Sequence, residues 1–280
     1  MIDHEDEQDA YDEEEDEPVR GDDYDPFAYY YDLEYQQVKA DLDFYREMAR
    51  RAGANARILE LACGSGRVGL PLLQAGFRYT GLDMSEKMLE LARRRLSKLD
   101  KDAQARAAFV QGDMRDLDAA LGNAEYDLIF VAINSFMHML TQEDQLACLR
   151  SIRRHLAPAG LFIIDVFNPE EKESYPADGR MEYNGAFYNP ERHSTVHVFL
   201  STLAHPAEQR RDYHYFYDET ISDGTVKRTV ARLTLRYIYR FELQLLLERA
   251  SLAVEDLYGS YDFDEFGEGS SRIIYLCRRG

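Results

Sequence analysis

The stretch that most constrains this chain is Arg57 to Gly66, RILELACGSG. Ile58, Leu59 and Leu61 supply the near-continuous apolar run of a central parallel strand, buried on both faces. Ala62, Gly64 and Gly66 follow at alternate positions, and a backbone that poor in side chains can turn sharply and approach a ligand closely. Val68, Leu70, Leu72 and Leu73 then predict a short helix, so the elbow is expected to bring free N–H groups of a helix N-terminus beside the bound molecule.

Gly64, Gly66 and Gly69 also satisfy the G-x-G-x-x-G spacing of dinucleotide-binding units, and the spacing alone does not separate the two ligands. Glu60, two residues before Ala62, gives the pattern acidic-x-Gly/Ala-x-Gly-x-Gly. This pattern resembles the first motif of class I S-adenosylmethionine-dependent methyltransferases, with Ala62 standing where glycine is usual. The resemblance implies a doubly wound α/β fold around a mostly parallel, seven-stranded Rossmann-like sheet, with S-adenosylmethionine as cofactor. It further implies that Glu60, Ala62, Gly64 and Gly66 hold the methionine end of that molecule.

Downstream segments read as the rest of such a pocket. Arg78 to Leu82 predicts a second strand ending at Asp83, a carboxylate placed to accept both ribose hydroxyl hydrogens of an adenosine. Met84 follows, either against an adenine face through its polarizable sulfur or as core packing, and Ser85 caps a helix through Leu96. Ala107 to Gln111 predicts a third strand closing with Gly112, Asp113 and Met114. In similar enzymes the acidic residue at this point binds the adenine amino group, with Met114 beside it; a turn or N-cap role for Asp113 is the alternative. Tyr126 to Ala132 reads as a fourth strand buried on both faces, and Ala132 at its end is a further cofactor-contact candidate. Ile133 to His138 then lies at the carboxyl edge, where open α/β sheets bind ligands. His138 is the candidate general base there, with plain packing as the other reading. The segment lacks the Asn/Asp-Pro-Pro-aromatic run, and the Pro-Cys alternative, carried by nucleic-acid-methylating relatives. Thr141 and Asp144 open a helix through His155, and Pro158 with Gly160 turns the chain into a fifth strand, Leu161 to Phe167.

Four regions follow: an acidic tail over 1–23 with too little apolar surface to order, a cofactor-binding core with its leading helix over 24–167, an insertion over 168–235, and the end of the core over 236–280. Asp25 and Pro26 start a helix that Val38, Leu42, Tyr45 and Met48 continue to Gly53. Within it, Tyr29, Tyr30, Tyr31 and Asp32 resemble the Tyr-Asp segment that closes over the cofactor in many small-molecule methyltransferases, which makes Tyr30 a cofactor candidate; an aromatic staple is the structural alternative. The insertion predicts antiparallel hairpins over Thr195–Leu203, Arg211–Ile221 and Thr225–Leu235, after strand 5. This layer resembles that of glycine and amino-sugar N-methyltransferases, where it roofs the acceptor pocket. Its tyrosines suit an aromatic lining, and its histidines show no zinc spacing, so no metal is expected. Arg228, Arg232, Arg236 and Arg240 recur every fourth residue and would share a face of one strand, either solvated or holding a carboxylate. Helix Phe241–Ala250 and strands Val254–Tyr258 and Arg272–Cys277 complete the core.

Charge bounds the partners. Net charge is -19, but residues 1–25 hold 14 of the 52 acidic residues and only one of the 33 basic ones, so the remainder is mildly acidic. No basic surface exists for a phosphate backbone, which excludes nucleic acid, and no apolar run approaches the ~20 residues of a membrane span. Three scattered cysteines and an acidic start suit a reducing cytoplasm. The expected partner is a small-molecule substrate, and a homodimer is left open. The expected activity is S-adenosylmethionine-dependent N- or O-methylation; an NAD(P)-dependent oxidoreductase and a non-catalytic S-adenosylmethionine-binding regulator are the alternatives.

Overall fold

A computed structural model describes residues 25–35, 39–172 and 177–280, so the acidic tail and Val38 lie outside the described residues. The single leading helix expected from Asp25 to Gly53 is two, α1 (Asp25–Tyr35) and α2 (Leu42–Ala52). The start of α2 is anchored by Asp41, which is fully buried and gripped by both terminal nitrogens of Arg67, at 2.8 and 2.5 Å. A buried carboxylate needs such a partner, and Arg67 belongs to the elbow, so α2 is tied to the elbow rather than continuing α1.

The core then alternates strand and helix: β1 (Arg57–Leu61), α3 (Gly69–Gln74), β2 (Arg78–Asp83), α4 (Glu86–Leu96), α5 (Lys101–Ala105), β3 (Ala107–Gln111), α6 (Leu117–Leu121), β4 (Tyr126–Val131), α7 (Gln142–His155), β5 (Leu156–Phe167) and the short α8 (Pro169–Lys172). The insertion follows as β6 (Asp178–Asn189), β7 (Ser194–His205), β8 (Arg210–Thr220) and β9 (Val226–Arg236), and α9 (Arg240–Arg249), β10 (Leu252–Tyr258) and β11 (Arg272–Arg279) close the chain. The caps proposed from sequence are present: Ser85 accepts from Met88 N and Thr141 from Asp144 N.

The main sheet has seven strands in the order β10-β11-β5-β4-β1-β2-β3. β1 to β5 are mutually parallel, whereas β11 runs antiparallel to β5 and to β10. Side-chain alternation along each strand divides the apolar residues between two cores. Leu59, Leu61, Ile129, Val131, Phe162 and Ile164 pack with Leu149 and Ile152 of α7 and Leu243 and Leu247 of α9. Ile58, Leu128, Phe130 and Ile163 pack on the other side with Tyr45 and Met48 of α2, Leu72 of α3 and Leu89 of α4. This is the doubly wound α/β architecture that near-continuous apolar strands require.

The insertion is a second, antiparallel sheet in the order β6-β7-β8-β9, one strand more than its sequence pattern indicated. β6 escapes notice because DGRMEYNGAFYN is polar, and its pairing with β7 is interrupted by bulges, one of them at Gly185 with φ 133°. One face of this sheet packs on α1 and α4 through Val196, Val198, Tyr217, Ala231, Ala28 and Met88, and β9 packs on the turn that follows β4.

Candidate active site

Strand order reverses between β1 and β4, since β2 and β3 lie to one side and β5 to the other. The crevice outside the carboxyl ends of such strands is where open α/β sheets bind ligands. The elbow occupies that point. Ala62, Gly64 and Gly66 all adopt left-handed backbone, with φ 53°, 53° and 78°, so Ala62 carries a Cβ in a conformation that favours glycine. Cys63 N–H donates to Leu82 O and Gly66 N–H to Cys63 O, both at 3.0 Å, which ties the loop to the end of β2. A turn over 64–68 joins the elbow to α3, and Leu70 N–H donates to Gly66 O at 3.0 Å in the i−4 pattern of a helix.

Asp83 links the two halves of the loop. Its Oδ2 accepts from Gly64 N–H at 2.7 Å and its Oδ1 from Ser85 N–H at 2.9 Å. Burial raises the Asp83 carboxyl, against the pull of the Ser85, Gly64 and Met84 amides. Glu60 lies beneath the elbow, 3% exposed, where it accepts the Tyr79 hydroxyl at 2.5 Å. Loss of solvent pushes its pKa up to about 8, a rise opposed by the Tyr79 hydrogen bond and the charge of Arg67. Tyr79 also accounts for Gly69, where an added Cβ would fall 2.0 Å from its ring. Thus Gly69 makes room for an aromatic ring of the protein, and the G-x-G-x-x-G spacing needs no pyrophosphate to explain it.

The second carboxylate, Asp113, is committed to its own turn. Its Oδ1 accepts from Arg115 N–H and its Oδ2 from Arg115 Nε, each at 2.8 Å, while Arg115 reaches on to Asp144 at 3.0 Å. Burial favours the neutral acid, but Arg115 outweighs it and holds Asp113 below the ordinary carboxylate value. The turn role thus accounts for these contacts. Met84 is half-buried beside the loop, its carbonyl bonded by Gln111; Met114 and Ala132 are buried in opposite cores. Tyr30 is built into the inserted sheet: it stacks on Tyr217 at 4.5 Å and donates to Glu219 at 3.3 Å, so the staple reading describes what it does.

His138 sits on a 3-10 turn, Ser135–His138, half-buried, with its pKa lowered to about 4 by burial, which keeps the imidazole neutral. That turn is positioned by a cluster the sequence reading missed. Ile133 and Asn134 are left-handed, φ 44° and 66°. Asn134 Oδ1 accepts from Phe167 N–H at 2.7 Å and from Arg272 at 3.0 Å. Asp165, fully buried on β5, accepts from Arg272 Nε at 2.5 Å, Tyr261 at 2.7 Å, and Tyr45 and Ile133 N–H at 3.2 Å. The available signal was a lone charge inside the apolar run LFIIDVF.

Arg228, Arg232 and Arg236 share one face of β9, opposite Asp218, His214 and Arg210 of β8, whereas Arg240 lies beyond the strand. Exposed Arg228 pairs with Asp218, Arg236 with Glu242 at 2.7 Å, and Arg240 begins α9, stacked on Phe241 and Phe266. Tyr213 and Tyr217 are buried, whereas Tyr183 and Tyr188 face solvent. No group of His, Cys, Asp or Glu among the described residues is arranged to hold a metal. No helix among them is long and apolar enough to cross a membrane.

Residues 58–160, which hold the elbow, Asp83, Asp113 and the β4 edge, match the methyltransferase domain family. These residues form a methyltransferase domain. Over 123 residues it is 33% identical to the cypemycin N-terminal methyltransferase of a Streptomyces species, covering 44% of this chain and 46% of that one. Over 135 residues it is 32% identical to the glycine/sarcosine N-methyltransferase of Halorhodospira halochloris, covering 47% of each. The matches thus span about half the length of these curated relatives. The fold of the methyltransferase domain together with its insertion is that of the S-adenosylmethionine-bound amino pentose methyltransferase CalS10 of Micromonospora echinaspora. That likeness has a TM-score of 0.68 at 19% identity, over 90% of this chain and 97% of that one.

Proposed function

We propose that this protein transfers a methyl group from S-adenosylmethionine to a small-molecule acceptor, with an amine nitrogen as the acceptor atom. The observation that carries the reading is the left-handed elbow clasped by Asp83 at the switch point of the sheet. The residues present fit the cofactor. Asp83 accepts the Gly64 N–H on one oxygen and the Ser85 N–H on the other, with the Met84 amide also favouring its charge, and the lone pairs left over suit a pair of ribose hydroxyls. A Cβ at Gly66 would lie 3.3 Å from the Leu70 side chain in a backbone of φ 78°, so the loop depends on glycine there. Ala62, Gly64, Gly66 and Glu60 would hold the methionine end. Asp113 would receive the adenine amino group with the lone pairs Arg115 leaves free, and Met84, Met114 and Ala132 would border the ring. Tyr30 would act at one remove, by holding α1 against the insertion.

The cofactor supplies a methyl carbon already activated by a sulfonium, so the protein needs chiefly to orient the acceptor and exclude water. The insertion packs against the turn after β4 and leaves α1 beside it, which favours a covered pocket and a small ligand. His138, neutral at physiological pH, is the group proposed to take the acceptor's proton. The relatives named above act, by their names, on the N-terminus of cypemycin, on glycine or sarcosine, and on an amino pentose, and these names favour nitrogen. The test is incubation of a metabolite extract with methyl-labelled S-adenosylmethionine, followed by separation of labelled products. A labelled small amine is expected. Cofactor binding without any labelled metabolite would leave a non-catalytic binding protein, and labelling confined to protein or nucleic acid would sink the small-acceptor reading.

A further inference from the structure

Most buried charged side chains among the described residues are met by an opposite charge. Asp41 is held by Arg67, Asp165 by Arg272, Glu219 by Arg192 and Arg236 by Glu242. Arg211 breaks the pattern. It is only 8% exposed, yet no carboxylate among the described residues pairs with it, and its Nε is sealed from solvent with no acceptor. Its described contacts are the Tyr213 hydroxyl and the face of the Tyr237 ring, 5.6 Å from the guanidinium. Neither neutralises a positive charge. A buried cation without a counter-ion is costly enough that its retention calls for a reason outside the folding of the chain.

The position of Arg211 supplies that reason. Along β8, Arg211, Tyr213, Tyr215 and Tyr217 alternate onto the face that packs inward, and Arg211 sits opposite Leu235 of β9. Tyr213, Leu235 and Tyr237 belong to the same apolar cluster as Phe136, Met137 and Met139 of the turn that carries His138, and as Phe167 at the end of β5. The unpaired guanidinium therefore lies on the side of the insertion that faces the carboxyl edge of the main sheet. The arginines of β9 that the sequence pattern singled out have partners of their own or face outward. From this placement we propose that Arg211, with the Tyr213 hydroxyl beside it, binds an oxyanion of the methyl acceptor, a carboxylate or phosphate, so that the acceptor is an anionic amine. The inference rests on the methyltransferase reading for the identity of the ligand. A planar guanidinium matches two oxygens of either group, and the low-polarity surroundings strengthen the pairing.

Thermal unfolding of the full chain tests this without turnover. Inorganic phosphate and acetate are titrated separately at constant ionic strength, with chloride as the balancing salt, on the parent, Arg211→Lys and Arg211→Met. The parent's Tm should rise saturably with at least one anion, because a ligand that binds only the folded state stabilises it. Arg211→Lys should need about tenfold more anion for the same shift, since an ammonium loses the two-pronged geometry. Arg211→Met should show no shift and should melt above the parent in chloride alone, having lost a buried unpaired charge. A response to phosphate only points to a phosphorylated acceptor, and one to acetate only to a carboxylate. No saturable rise in the parent, a rise preserved in Arg211→Met, or a lower Tm for Arg211→Met in chloride would each overturn the proposal. If Arg211→Met does not fold, the Arg211→Lys titration decides, and an unchanged midpoint there refutes it. S-adenosylhomocysteine binding, measured on the same samples, reports separately on the cofactor site.

Discussion

Replacing Arg272 by Met is the most informative perturbation of the fold around the site. Arg272 provides the one donor to Asp165 Oδ1, at 2.5 Å, and a second hydrogen bond to Asn134 Oδ1 at 3.0 Å. Asp165 Oδ2 keeps its three donors, Tyr45, Tyr261 and Ile133 N–H. Breaking a buried ion pair from one side costs about 3–5 kcal/mol, and the surviving donors place this case near the lower end, at about 3 kcal/mol. For a chain of 280 residues, with about 2 °C of Tm per kcal/mol, the expected drop is about 6 °C. Differential scanning calorimetry with urea unfolding alongside measures it. Adding Asp165→Asn to Arg272→Met removes the stranded charge and should restore at least half of the loss. The turn should respond as well, because Ile133 is a β-branched residue at φ 44°, a conformation it keeps only while the cluster holds it. With an acceptor in hand, turnover should fall while S-adenosylhomocysteine affinity holds. A loss of stability below about 1 kcal/mol would refute the reasoning, by showing that Asp165 is not an ionised partner in the folded protein.

Asp83→Ala should weaken S-adenosylhomocysteine binding by roughly 1.5–3 kcal/mol in isothermal titration, the scale of hydrogen bonds to a charged acceptor; unchanged affinity would leave Asp83 only its role of holding the Gly64 and Ser85 amides. Glu60 has its pKa raised to about 8, so its folded form binds more protons than its unfolded form between the ordinary carboxylate value and about 8. Its contribution to stability is therefore complete at acid pH and declines as pH rises through that window. Glu60→Gln should gain on the parent over the same range in chemical denaturation, and a pH-independent difference would count against a neutral Glu60. Ala62→Gly relieves a left-handed alanine at φ 53° and should add about 0.5–1 kcal/mol, read as a higher Tm; a lower Tm would mean that the methyl group packs. His138→Ala should lower turnover ~10²-fold with cofactor affinity intact. With its pKa near 4, the parent should show no inflection from this histidine between pH 5 and 8; undiminished turnover in the variant would remove it from the mechanism.

What the sequence determined by itself was local. The buried strand, the elbow, the acidic residue at the end of the second strand, the Ser85 and Thr141 caps and the alternation of strand and helix all follow from patterns a few residues long, since strand burial, left-handed turns and caps are set by near neighbours. The polar strand β6 escaped because its stability comes from pairing with β7 rather than from its own alternation. Tertiary structure alone decided the partnerships. Asp165 meets Arg272 from 107 residues away, and Tyr30 reaches Glu219 across 189, whereas an arginine row with a regular spacing finds separate partners on different elements. Burial decided charge in the same way: Glu60 is pushed toward neutrality by a core that forms around it, and Arg211 is buried where no carboxylate among the described residues pairs with it. A spacing along the chain fixes which residues can share a strand face, but whether a charge is met, stranded or solvated depends on the dielectric and the neighbours that long-range packing supplies.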